Sequence, residues 1–243
     1  MNLYGASDKG QVRETNEDSL FYTNFTDGSF LFAVCDGMGG QNAGEVASAA
    51  VIEEIRENGE EALARAESMK DARSSLRCLI RTANNRIYQM AQRSPEYQGM
   101  GTTMVAAYVR GDHLLVLNVG DSRGYLIRDG HIIQITRDHS LVEEMVRSGA
   151  ITREESKNFP GRNVITMAIG TEDNILPDSF ECRLQEGDRV LLCSDGLSNM
   201  VEDEQLLQLA SSDEDCQRCV KQLIDRANEN GGRDNITAIL YRK

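Results

Sequence analysis

Three apolar runs in this chain end in the same way. Phe30-Leu31-Phe32-Ala33-Val34-Cys35 stops at Asp36-Gly37, and Leu114-Leu115-Val116-Leu117-Asn118-Val119 stops at Gly120-Asp121-Ser122. Arg189-Val190-Leu191-Leu192-Cys193 stops at Ser194-Asp195-Gly196. Two further acidic positions sit just before strand-like runs: Glu17-Asp18, and Asp234 within Gly231-Gly232-Arg233-Asp234-Asn235-Ile236-Thr237. A single Asp-Gly is ordinary turn chemistry. The repetition of an acid beside a small residue at strand ends points instead to one shared site, because glycine lets other groups approach the backbone. A charge at the end of a buried strand is costly without a partner, and several carboxylates brought together repel unless cations sit between them. Oxygen-only ligation suits magnesium or manganese better than zinc. The only histidines, His113, His131 and His139, include no pair spaced as a ligand motif. Two such ions bridged by a carboxylate can hold a water, depress its pKa and direct it at phosphorus, with no serine or cysteine nucleophile. Arg13, a few residues before Glu17-Asp18, has the planar fork that binds phosphate oxygens in bidentate fashion.

The elements that must position these acids are legible in outline. Strands are predicted over 2–7, 19–25 and 29–35. The pattern turns helical from about 44 to 94, in two helices with a break around Gly59, and Pro95 ends the second. Four short strands follow over 103–108, 113–119, 123–128 and 131–136, joined by tight turns that imply antiparallel hairpins. Residues 140–157 are polar and helix-like, and 157–177 irregular. Strands are expected again over 179–184 and 189–193, helices over 203–210 and 214–229, and a closing strand over 236–241. No linker or shift in composition divides the chain, so one domain over 1–243, mixing antiparallel sheets with helical pairs, is the simplest architecture.

Composition excludes other classes. A formal charge of −13 and an aromatic content of 5% argue against a nucleic-acid partner. No apolar stretch is long enough for a membrane-spanning helix, and the first residues carry no signal-peptide pattern, so a cytoplasmic location is expected. Of the six cysteines, only Cys216 and Cys219 form a C-x-x-C. They share a helix face with Val220, Leu223, Ile224 and Ala227, and no second pair completes a zinc site, so core thiols are expected. The glycine-rich turn Gly37-Met38-Gly39-Gly40 lacks the lysine and Ser/Thr of a P-loop and the spacing of a dinucleotide fingerprint.

Taken together the motifs resemble the metal-dependent protein phosphatases of the PPM family, the PP2C type, in its compact bacterial branch. They run through the chain in order: Gly5-Ala6-Ser7-Asp8-Lys9-Gly10, Arg13-Glu14-Thr15-Asn16-Glu17-Asp18, Val34-Cys35-Asp36-Gly37-Met38-Gly39-Gly40 and Gly101-Thr102-Thr103. Then come Asn118-Val119-Gly120-Asp121-Ser122-Arg123, Thr136-Arg137-Asp138-His139-Ser140, Cys193-Ser194-Asp195-Gly196-Leu197 and Arg233-Asp234-Asn235-Ile236-Thr237. The resemblance implies an α+β fold, a four-layer α-β-β-α sandwich of two antiparallel sheets flanked by antiparallel helices. It implies two Mn2+ or Mg2+ ions with Asp36 bridging them, the Gly37 carbonyl on one, and Asp195 and Asp234 on the other. Glu17 and Asp18 would act directly or through bound water. Asp121, with Asp195, matches a third, weaker metal position, and Arg13 matches the phosphate-binding arginine. The implied activity is hydrolysis of phosphoserine and phosphothreonine in proteins by direct attack of a metal-bridging water. The implied partners are phosphoproteins and a Hanks-type serine/threonine kinase, and the chain is expected to act as a monomer. Residues 141–175 correspond to a flap beside the active site. Some relatives carry a histidine two residues after the bridging aspartate as general acid; Met38 stands there, and a thioether has no proton to give. His139 is expected to cap the helix that follows it.

Overall fold

A computed structural model describes residues 2–39, 43–156 and 159–243. Two antiparallel sheets carry the fold. The first has the order β1 (Leu3–Asp8), β11 (Ile236–Arg242), β10 (Arg189–Cys193), β7 (Arg123–Arg128), β8 (His131–Gln134). The second has the order β2 (Asp18–Asn24), β3 (Phe30–Met38), β5 (Met104–Arg110), β6 (His113–Val119), β9 (Asp178–Arg183), with the two-residue β4 (Gly101–Thr102) paired to the end of β3. Helices α1 (Ala43–Ala64) and α2 (Met69–Arg93) cover the second sheet. Helices α6 (Asp203–Ala210) and α7 (Cys216–Glu229), with the one-turn α5 (Asp195–Ser198), cover the first. The α-β-β-α order expected from the family resemblance is the observed one.

The unbroken apolar runs have a simple cause. Side chains alternate between the faces of a strand, and here both faces are buried. On β3, Leu31, Ala33 and Cys35 point to the helical layer, while Phe32 and Val34 point between the sheets. Leu191 and Cys193 of β10 face α7, and Val190 and Leu192 face the other sheet. A strand of this kind cannot continue into solvent as a hydrophobic ribbon, so it ends where the layers end. The acids stand at those ends.

Three expectations change. The helical pair does not break at Gly59, which lies inside α1; a Cβ there would come within 3.0 Å of Leu31 Cδ2, so the glycine serves close packing. The break falls after Ala64, and α2 begins where Ser68 and Asp71 form a capping box. The helical stretch at 140–157 resolves into two short helices, α3 (Leu141–Arg147) and α4 (Arg153–Ser156); Lys157 lies outside the described residues. The turn α5 was not anticipated, because four residues carry too little periodicity to read. Cys216 and Cys219 are buried in the α7 layer as core thiols, as expected.

One ion pair closes the far end of the sandwich. Arg128 Nε and Nη2 donate to Asp188 Oδ1 and Oδ2 at 2.9 and 2.5 Å, and Nη2 also reaches the Arg183 carbonyl at 2.7 Å on the other sheet. Burial pushes the Asp188 carboxyl up, but the Arg128 guanidinium and the Gln185 N–H outweigh it and hold the group below its ordinary value of 3.8. A depressed carboxyl stabilises the fold above its unfolded pKa, and that contribution is lost as pH falls through the folded one. We expect Asp188→Asn to cost about 2 kcal/mol at pH 7, as a charge-assisted hydrogen-bond pair would. In urea titrations the gap from wild type should narrow as pH falls below 3.8, the ordinary value.

Candidate metal centre

Asp18 and Asp36 lie directly opposite each other in the β2–β3 ladder. Asp36 is held on its other side by β4 and the residue after it. Thr103 N donates to Asp36 O at 2.8 Å, Asp36 N donates to Thr103 Oγ1 at 3.0 Å, and Thr102 Oγ1 donates to Asp36 O at 2.9 Å. Gly37 follows where α1 crosses the strand end. A Cβ there would sit 2.2 Å from Gly44 O, so no other residue fits without moving the helix.

The other acids arrive from the first sheet. Asp195 opens α5 at the end of β10, where Asn199 Nδ2 donates to its Oδ2 at 3.0 Å. Gly196 beside it passes so close to β11 that a Cβ would meet Asn235 O at 1.9 Å. Asp234 stands two residues before β11 and accepts from Arg13 Nη2 at 2.7 Å. Asp18 joins the sheets: its Oδ2 accepts from Ser194 Oγ at 2.7 Å and Thr237 Oγ1 at 2.6 Å, while its Oδ1 is buried with no partner. Asn235 pins the loop that carries Arg13 and Glu17. It accepts from Glu17 N at 2.9 Å and donates to the carbonyls of Lys9 and Thr15. Asp121 sits in the turn after β6, tied to Asp36 through the 2.7 Å contact between Ser122 Oγ and Thr103 Oγ1.

These acids act on one another. Asp36, Asp121, Asp195 and Asp234 keep some solvent access, yet for the first three burial by the surrounding protein is the largest influence. Burial, followed by the charges of Asp18, Asp195, Asp121 and Asp234, pushes the Asp36 carboxyl well up. Burial lifts Asp18 to about 7 against its two hydroxyl donors, with Asp195 and Asp234 adding to the rise. Asp121 is also lifted to about 7, by burial and then by Asp195. Asp195 rises through burial and Asp234, and is drawn back by a hydrogen bond to Asp36. Glu17 stands to one side: after burial, the charges acting on it are Arg13, Asp234 and Glu45.

Such a cluster calls for cations. Among the described residues no group of three or more His, Cys, Asp or Glu side chains closes into a ready-made ligand cage. What assembles is open: an orphaned Asp18 oxygen, and buried acids whose charges raise one another. The donors are all oxygens, and magnesium or manganese keeps several waters rather than demanding an all-protein cage. The residues fit hard divalent ions.

The family model for Protein phosphatase 2C matches residues 8–241. The chain belongs to the protein phosphatase 2C family. It is 37% identical over 239 residues to the serine/threonine phosphatase stp of Listeria monocytogenes, covering 98% of this chain and 94% of that one. Its structure is similar to that of the S. agalactiae serine/threonine phosphatase, with a TM-score of 0.92, 34% identity and 99% of each chain covered. The catalytic domain of the phosphatase PstP, solved in complex with two manganese ions, matches with a TM-score of 0.86 at 35% identity, over 99% of this chain and 96% of that one.

Within this PP2C frame, one expected role changes. His139 does not cap α3; Ser140 does, its Oγ accepting from Glu143 N. His139 instead accepts from Gly120 N through Nδ1 and faces Asp178 through Nε2. Met38 packs toward Gly101, and Gly40 lies outside the described residues. The supports Thr103, Ser194, Asn235 and Thr237 stand in the motifs quoted above, but their roles escaped sequence reasoning. Their partners are tens to hundreds of residues away, and only Ser194 and Asn235 carried a signal, as small polar residues beside Asp195 and Asp234.

In the metal-free protein the raised carboxyls have a measurable sign. A carboxyl whose folded pKa is raised contributes stability that is fully present below its unfolded value and lost as pH rises through the folded one. For Asp18 and Asp121 that window runs from 3.8 to about 7. In EDTA the melting temperature should therefore fall as pH is raised from 5 to 8, and Asp36→Asn should flatten that slope. A melting temperature that rises across this range would contradict the cluster.

Proposed function

We propose that this PP2C-family chain is a protein serine/threonine phosphatase that removes phosphate from phosphoserine and phosphothreonine in proteins. The reading rests most heavily on the convergence of acids from separate segments: Asp18 stands opposite Asp36 and is bonded to Ser194, beside Asp195, and to Thr237 of the strand after Asp234, while Ser122, beside Asp121, is joined through Thr103 to Asp36. Family membership and the similarity to named serine/threonine phosphatases support it. In this reading Asp36, the Gly37 carbonyl, Asp195 and Asp234 would hold two manganese or magnesium ions, with Asp36 shared between them. Asp18 and Glu17 would act directly or through bound water, and Asp121 with Asp195 would form a third, weaker position. When bound, the ions supply an activated water and offset the charge of the phosphate.

The chain's own residues do the rest. Arg13 is half exposed, with its guanidinium beside Asp234 at the rim, where it can receive phosphate oxygens. Ser194 and Thr237 hold Asp18 by its Oδ2, which leaves Oδ1 free for a ligand. Asn235 keeps the Arg13 loop in register with Asp234. Met38 brings no proton to the leaving group. One catalytic domain spans the chain, and residues 141–175 act as the flap that shapes the approach of a phosphoprotein. The substrates would be products of a Hanks-type serine/threonine kinase, which this enzyme would oppose.

Phosphate release from a phosphothreonine peptide should require manganese or magnesium and stop in EDTA. Asp36→Asn should lower kcat by roughly 10³-fold, the several kcal/mol a metal clamp supplies. Arg13→Ala should lower kcat/KM about tenfold to a hundredfold, the loss of a charge-assisted bond to phosphate. Full activity in chelator, or in Asp36→Asn, sinks the proposal.

A further inference from the structure

The turn that carries Asp121 has no regular structure of its own to hold it. Gly120 has a φ of +98°, and a Cβ built on it would lie 2.6 Å from Thr103, so the turn is a tight, glycine-only crossing. Its far side is held by His139. His139 N donates to Gly120 O at 2.9 Å, and Gly120 N donates to His139 Nδ1 at 3.0 Å. A ring nitrogen that accepts from a backbone N–H carries no proton, so the imidazole proton is on Nε2. Nε2 faces Asp178 Oδ2 at 3.3 Å, on β9. The same histidine reaches into the segment beyond: Thr166 N donates to its carbonyl at 2.8 Å, beside the Ser140–Ile165 bridge.

We propose that His139 is a positioning residue for Asp121. Held as the Nε2–H tautomer by Asp178, it fixes the Gly120–Asp121 turn, which Ser122 joins through Thr103 to Asp36, and it ties that turn to Thr166. The inference rests on the reading of Asp121 as a metal ligand, and extends it to a side chain that touches neither ion nor phosphate. Partners of this outer kind set the orientation of the residue that does the binding, and their loss commonly costs tenfold to a hundredfold in metal affinity.

Asparagine and glutamine separate the two ring nitrogens. The shorter amide of His139→Asn offers its Oδ1 acceptor at the height of Nδ1, whereas His139→Gln places its amide at the height of Nε2. The test is manganese titration by calorimetry on wild type, His139→Asn, His139→Gln, His139→Ala and, as reference, Asp121→Asn. We expect His139→Gln and His139→Ala to weaken the weakest equivalent about tenfold to a hundredfold, as Asp121→Asn does, while the tighter equivalents persist. His139→Asn should stay close to wild type. A wild-type chain that binds no manganese would defeat the metal reading itself, which is a separate failure. Hydrogen exchange of the Gly120 amide supplies the second measurement, independent of metal and of whether His139→Ala folds. Protection should be retained in His139→Asn and reduced about tenfold or more in His139→Gln, the loss of a bond worth about 1.4 kcal/mol or more. Wild-type behaviour of His139→Gln in both measurements, or equal loss in His139→Asn and His139→Gln, overturns the proposal.

Discussion

The rest of the structure depends on five carboxylates gathered at one edge of the two sheets. Burial first, and then their mutual repulsion, hold the carboxyls of Asp36, Asp18, Asp121 and Asp195 above their ordinary range. Folding brings them together because hydrophobic burial elsewhere outweighs the local cost. Three core layers, one between the sheets and one under each helical face, supply that burial. The cluster is the place where the molecule stores unfavourable electrostatics that bound cations would relieve.

The scaffold makes this crowding possible by ending strands of both sheets at the same edge. Asp18 and Asp36 come from one sheet, Asp195 and Asp234 from the other, and Asp121 from the turn between β6 and β7. Hydroxyls and amides then stitch the two sets together. Thr103 and Ser122 join the Asp36 and Asp121 segments; Ser194 and Thr237 hold Asp18 across the sheets; Asn235 anchors the loop of Arg13 and Glu17. Each is a short side chain with few rotamers, suited to fixing a neighbour at low entropic cost. In the proposed phosphatase this rigidity matters more than any single ligand, since a constellation loosened by an ångström loses much of its effect.

Much of the fold and of the site was legible in the chain. Runs such as Leu31–Cys35 and Val190–Cys193, apolar at every position, announced strands covered on both faces, and two helical pairs supplied the covers. Asp36, Asp121 and Asp195 stood out because each ends such a run beside a glycine or serine. Gly59 misled, since a glycine in a helical pattern reads as a break until the packing of Leu31 against it is known. His139 misled for a similar reason: its position before α3 suggested a cap, but Ser140 fills that role and the imidazole turns toward Gly120.

The sequence by itself determined which residues can carry the chemistry, because side-chain type and strand-end position follow from local pattern. It also determined the succession of strands and helical pairs, since apolar periodicity separates the two; the layer order was implied only by the family resemblance. Only the tertiary structure decided which acids share electrostatic contact, which oxygen of Asp18 is left unpartnered, and which nitrogen of His139 accepts. Those facts depend on contacts between residues up to about two hundred positions apart, such as Asp18 with Thr237. No local pattern encodes them, because a hydrogen bond across the two sheets exists only once both sheets have packed.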